Sequence, residues 1–286
     1  MTAAEPWIRL GCFAGAFALV ALAEALLPWR RPVARRRRWI ANLGVLALGA
    51  VALRVVFPPA TTGAAIGAAI WAEAAGFGLL RGLPGWIALP AAVLALDLAI
   101  YLQHRLFHAQ PWLWRLHRMH HADTEFDATT GLRFHPLEML ASMAIKIGVV
   151  AALGAAPVAV LVFEVLLNAT SIFSHGNMKL PAAVDGILRR LLVTPAMHRV
   201  HHSVLRAETD SNFGFCLAWW DRIFGTYRAV AAAGPDGITI GLPEFRRAEE
   251  QRLDRLLTQP FRTGEEQPAG PDHAGPPRTG RKPPWP

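Results

Sequence analysis

Long apolar blocks separated by short polar stretches dominate the chain. The first, from about Trp7 to Leu27, is long enough to span a bilayer as a helix. It lacks a basic leading region and a small-residue cleavage site, so it reads as a retained span and not a signal peptide. A second block runs from about Trp39 to Phe57 and stops at Pro58-Pro59, which cannot continue a helix. Residues 63–80 are rich in Ala and Gly, carry Glu73, and predict a short re-entrant or interfacial helix. Gly85 to Gln103 predicts a third span of about 28 Å, at roughly 1.5 Å per residue, ending where the chain turns polar at His104. Leu137 to Phe173 is apolar again, and its break at Gly154-Ala155-Ala156-Pro157 predicts a helical hairpin. Residues 104–136 are polar throughout, and from His175 to about Leu257 the chain is amphipathic. The expected fold is an all-α integral membrane bundle of about four transmembrane helices with a cytosolic helical cap. Its regions are an N-terminal transmembrane part (1–84), a histidine-bearing part (85–257) and a disordered Pro/Gly-rich tail (258–286).

Composition agrees with a membrane protein. Hydrophobic residues make up 53% of the 286 and charged residues 17%, and mean hydropathy is +0.28. The net charge of +8 would suit nucleic acid, but its distribution points elsewhere. Arg30, Arg31, Arg35, Arg36, Arg37 and Arg38 crowd one short loop between apolar blocks, as the positive-inside rule expects of a cytoplasmic loop. With that loop in the cytoplasm, the second span leaves, the third returns at His104, and the hairpin leaves near Leu137 and returns near His175. Every histidine cluster then falls on the side of the arginine loop. Cys12 and Cys216 are the only cysteines, which excludes a disulfide framework and a cysteine-rich metal site.

Ten of the eleven histidines lie between His104 and His202. His104 and His108 form HxxxH; His117, His120 and His121 form HxxHH; His198, His201 and His202 repeat HxxHH; His135 and His175 stand alone. Positions i, i+3 and i+4 share a helix face, so each cluster aims two or three imidazoles one way. One HxxxH pair alone is more often an accident of composition. Two triplets and a pair on one side of a membrane are not, and they supply more imidazoles than one metal ion uses. Imidazole suits Zn, Cu, Fe and Ni alike, so spacing does not select the ion.

The segment DLAIYLQHRLFH, followed by LWRLHRMHHADTEFDATTGLRFHPLE and later by MHRVHHS and WWDRIFGTY, resembles the fatty acid hydroxylase/sterol desaturase superfamily over roughly residues 93–228. That resemblance implies a membrane-bound non-haem di-iron enzyme that hydroxylates or desaturates a lipid. It would use dioxygen and electrons from a separate reductase, ferredoxin or cytochrome-type donor, at the cytoplasmic side of a bacterial inner membrane. By the same resemblance His104, His108, His117, His120, His121, His175, His198, His201 and His202 are the ligands of two iron ions. Ser171 stands where some members carry a further histidine, which leaves one ion a place for water. The spacing of His108 and His117 favours the hydroxylase-type branch over the acyl-CoA desaturases.

Two further residues are candidates. His135, before Pro136 in RFHPLE, suits a ligand, a donor beside a ligand, or a polar cap at the bilayer edge. Asp97 lies one heptad before His104 on the same face; it suits a carboxylate partner for a metal-bound imidazole or a buried polar packing residue. Glu138 and Asn212 match family positions without a derivable role, and Trp219, Trp220 and Phe224 read as interfacial or core aromatics. A zinc-dependent lipid hydrolase and a non-redox metal-binding membrane protein are the rival readings. The latter needs ionisable ligands at mid-membrane depth, where Glu73, Lys146 and Glu164 are scattered. Substrate chemistry beyond a lipid is not encoded in the apolar blocks.

Overall fold

A computed structural model describes residues 4–57 and 63–266; their regular elements are helices, with no strand beyond isolated bridges among the described residues. Five helices are long and apolar enough to cross a membrane: α1 (Glu5–Leu26), α2 (Arg35–Val56), α4 (Gly85–Ala109), α6 (Pro136–Leu153) and α7 (Pro157–Ser174). The chain is an integral membrane protein. Sequence predicts about four spans because the hairpin reads as one unit. Each of its legs proves to be a full helix of 18 residues, about 27 Å long, joined by a left-handed Gly154 (φ +62°) and started again by Pro157.

The short Ala/Gly-rich segment forms α3 (Ala64–Ala74), 11 residues long and so too short to cross a bilayer. It packs on α6 and α7, with Ala65, Ile66 and Ala69 fully buried in the core shared with Leu96, Val150 and Phe163. The strand of chain after it locks onto the hairpin turn: Leu79 and Leu80 donate to the carbonyls of Ala152 and Leu153. Gly78 lies against Gly154 so closely that a Cβ there would sit 2.2 Å from the Gly154 Cα. Elsewhere α1 packs on α7, α2 on α6, and α4 on both hairpin legs.

Of the three charges scattered through the apolar blocks, Glu73 is exposed, whereas Lys146 and Glu164 are paired. Lys146 of α6 meets Glu164 of α7 at 2.9 Å, and Arg9 of α1 meets the other oxygen of Glu164 at 2.5 Å. An unpaired charge at such depth is costly, so the pairing ties three helices together.

The polar connections gather at one end. There α5 (Pro111–His121), a 3-10 turn (Thr130–Leu132), α8 (Ala182–Leu188), α9 (Pro195–His201) and the helix Leu253–Thr258 form a cap over the bundle. Arg38 joins the arginine loop to this cap. It is fully buried and forms a bidentate pair with Asp123 (2.7 Å to each oxygen) and a bond to Asp127 (2.7 Å). It is therefore a structural ion, unlike its exposed neighbours Arg36 and Arg37. Glu24 of α1 adds a second tie by accepting the backbone N–H groups of Ala128 and Asn177. Of the expected tail (258–286), residues 267–286 lie outside the described residues. Its first residues pack: Gln259 is buried, and Arg118 donates to its carbonyl.

Candidate metal centre

The nine histidines singled out by the three clusters and by His175 are all buried and gather into two adjacent groups. His104, His108, His117, His121 and His201 form one; His120, His175, His198 and His202 form the other, each set offering ligand atoms within 4.8 Å of one another. Helix geometry explains the division. In α5 the i, i+4 pair His117 and His121 serves the five-histidine group while His120, about 100° from His121 around the helix, serves the other. In α9 and its C-cap His202 the arrangement is reversed: the i, i+4 pair His198 and His202 serves the four-histidine group and His201 crosses to the five. The two HxxHH motifs thus each hold both groups, and the rings of His198 and His201 lie 5.0 Å apart across the divide.

Hydrogen bonds fix which ring nitrogen faces inward. A carbonyl can only accept, so a bond to one identifies a protonated Nδ1 and a bare Nε2. His104 Nδ1 donates to the Phe213 carbonyl (2.8 Å), His201 Nδ1 to the Ser211 carbonyl (2.7 Å) and His175 Nδ1 to the Ser171 carbonyl (2.7 Å). His117 Nδ1 meets the Glu138 carboxylate at 2.6 Å, and His108 Nδ1 meets Asp210 at 3.2 Å. The inward Nε2 atoms then face one another: His104 to His117 at 3.0 Å, His104 to His201 at 3.0 Å, and His175 to His198 at 3.0 Å. His104 and His201 are each left with a lone pair here, and two lone pairs at that distance repel unless a cation lies between them. The donor set therefore fits metal ions.

Electrostatics keeps the set ready to ligate. Burial, with the neighbouring imidazoles adding to it, holds His120, His121, His198 and His202 well below the usual 6.5. Burial also lowers His175 to about 4 and His201 to about 3, each partly offset by the bond to its carbonyl. All six are neutral at pH 7, the form that binds metal.

His135 joins neither group. Its Nδ1 accepts the Leu137 N–H at the start of α6 and its Nε2 donates to the Leu257 carbonyl (3.2 Å each), so it is a helix cap with no nitrogen to spare. Asp97 does not reach His104 either. It accepts the N–H groups of Cys216, Leu217 and Trp220, the last at 2.8 Å, and anchors the loop after the site. The carboxylate partner of an imidazole is Glu138 instead. Asn212 also gains a role: it sits in the left-handed region (φ +52°), bonded to Met197 and Arg228, and its neighbours Ser211 and Phe213 supply the carbonyls that orient His201 and His104. Asp221 pins the same turn through the N–H groups of Phe213 and Gly214. Ser171 supplies its carbonyl to His175, and Gly131 leaves room for that ring, since a Cβ would lie 3.0 Å from His175 Nδ1. Trp219 and Phe224 are partly exposed, and Phe224 stacks on Tyr101.

Nine buried imidazoles thus converge at one end of a bundle of membrane-crossing helices. Residues 89–226, just under half of the chain, match the fatty acid hydroxylase family, which supports the resemblance to the fatty acid hydroxylase/sterol desaturase superfamily. It is similar to the ornithine lipid hydroxylase OlsE of Rhizobium tropici, 32% identical over 132 residues (46% of this chain and 39% of the relative). It is also similar to human alkylglycerol monooxygenase, 28% identical over 165 residues (56% and 35%). A third relative is the cholesterol 25-hydroxylase of Rattus norvegicus, 28% identical over 140 residues (48% and 46%). The matched part of the chain thus spans less than half of each relative's length. No solved structure matches the chain.

Proposed function

We propose that this protein is a membrane-bound non-haem di-iron oxygenase that hydroxylates a C–H bond of a bilayer lipid, with its metal centre on the cytoplasmic side of a bacterial inner membrane. The observation that carries this reading is the convergence of buried imidazole nitrogens, as close as 3.0 Å, in two adjacent groups. His104, His108, His117, His121 and His201 would hold one iron, and His120, His175, His198 and His202 the other. Bound there, the iron pair supplies the redox chemistry by which dioxygen, two electrons and two protons convert C–H into C–OH and water.

The protein's own contribution is threefold. Glu138, Asp210 and the carbonyls of Ser171, Ser211 and Phe213 hold five rings in one tautomer. Burial of all nine rings excludes water from the reacting region. The arginine loop, joined to the histidine end through Arg38, sets the orientation in the membrane. Electrons come from a separate donor. The four-histidine group has one ligand fewer than its neighbour, with Ser171 bonded to Gly131 where another imidazole would stand, which leaves it the more open to dioxygen.

A zinc-dependent lipid hydrolase is disfavoured by the five imidazoles of one group, more than the four ligands of a tetrahedral zinc site. The deciding experiment purifies the protein with iron supplied, counts metal, and follows lipid products under ¹⁸O₂ and under anaerobic conditions. Two irons per chain and an ¹⁸O-labelled alcohol formed only with dioxygen are expected. His120→Ala and His201→Ala, one from each group, should each abolish product. Product without dioxygen, or full activity in either variant, overturns the proposal.

A further inference from the structure

Outside the metal centre, a cavity of about 1260 Å³ opens at the same end of the bundle. Its apolar mouth is formed by Val33, just ahead of α2, and Ile40, in the second turn of that membrane-crossing helix, 84% and 64% exposed. One side is the arginine loop, with Arg31 and Arg37; the other comes from residues 246–254 and 265–266, with Glu249 and Glu265. All four are exposed, and among the described residues none of the four is engaged by another side chain. Their neighbours differ: Arg38 is taken up by Asp123 and Asp127, and Arg252 by Asp254. The floor is Phe126, 4% exposed, whose ring centre lies 5.5 Å from that of His175 and 5.2 Å from that of His202. One aromatic ring separates the cavity from the four-histidine group.

Free charges of both signs around one concave site select against ligands of a single charge. An anion meets Glu249 and Glu265, a cation meets the arginines, and an uncharged head satisfies neither pair. A zwitterion satisfies both. The volume exceeds that of a typical small-ligand pocket, roughly 300–1,000 Å³, so there is room for a headgroup with the first part of its chains, and the apolar mouth lets those chains continue into the bilayer.

We infer that this cavity binds the zwitterionic headgroup of the lipid substrate, with the anionic part on Arg31 and Arg37 and the cationic part toward Glu249 and Glu265. The carbon brought to the metal centre is then close to the headgroup and not at the chain end, and Phe126 is the side chain that turns aside to admit it. This rests on the oxygenase reading for its chemistry but not for its binding.

The test reconstitutes the full chain in nanodiscs of equal parts phosphatidylethanolamine, phosphatidylglycerol and diacylglycerol, and counts retained lipid by native mass spectrometry. The wild type should retain the zwitterionic lipid at least tenfold over the other two. Arg31→Glu with Arg37→Glu should lose that retention, and the milder Arg31→Gln with Arg37→Gln should lose it too. Glu249→Lys with Glu265→Lys should shift retention to the anionic lipid. Equal retention of the anionic lipid by the wild type, or zwitterion retention unchanged in both charge-reversed proteins, overturns the inference. So does a product whose new oxygen maps to the chain terminus by tandem mass spectrometry. Lipid retention needs neither iron nor turnover, so loss of metal or product with retention intact refutes the oxygenase and leaves the cavity assignment standing.

Discussion

Glu138 is the most informative residue to change, because sequence pointed to Asp97 for the role it fills. Its carboxylate meets His117 Nδ1 at 2.6 Å and is 4% exposed, so the contact is short, charged and shielded from water. A hydrogen bond to a charged group contributes about 1.5–3 kcal/mol. At about 1.4 kcal/mol per tenfold, Glu138→Ala should weaken metal binding by roughly 10- to 100-fold, the range typical of residues that orient a metal-bound histidine. Glu138→Gln keeps an acceptor of the same size without the charge and should fall between that variant and the wild type. The assay is competition with a chelator of known affinity on purified protein. Asp97→Asn is the control: it disturbs the bonds to Cys216, Leu217 and Trp220, so it should lower the melting temperature and leave metal affinity within about threefold. If Glu138→Ala bound metal as tightly as the wild type, or Asp97→Asn weakened it as much as Glu138→Ala, the orienting contact would be misassigned.

Three further outcomes follow from the geometry. Arg38→Met strands Asp123 and Asp127 in the interior and should destabilise the protein by about 3–5 kcal/mol in denaturant unfolding, whereas Arg36→Met, on an exposed position, should change it by less than about 0.5 kcal/mol. Gly131→Ala places a Cβ 2.9 Å from the Ser171 carbonyl and 3.0 Å from His175 Nδ1; elemental analysis should show the iron content falling from two per chain toward one as the four-histidine group loses its fit. The metal-free protein should lose thermal stability as pH falls from about 6.5 toward 4. The unfolded imidazoles take up protons near 6.5 while folded His175 and His201 resist until about 4 and about 3, so the unfolded state binds the extra protons and gains from acid. A melting temperature independent of pH across that window would show that the rings are not held neutral by burial.

What the sequence determined by itself is the set of parts. Block length and apolarity specify spanning helices because a bilayer admits backbone only as closed hydrogen-bonded structure, and the i, i+3, i+4 spacing makes each histidine cluster one-sided. The arginine loop and the clusters were legible as sharing a side from the count of crossings alone. Tertiary structure decided how the nine rings are shared, because the division within each HxxHH depends on where α5 and α9 sit around the two groups, and no spacing encodes that. It also decided that His135 caps α6, that Glu138 and not Asp97 supports a ligand, and that Arg38 is buried among five identical neighbours in the same loop. Asn212 became meaningful only as a left-handed turn whose flanking carbonyls face His104 and His201. Local pattern fixes what a residue can do. Which partner it finds is set by long-range packing, where contacts join residues 85 and more positions apart.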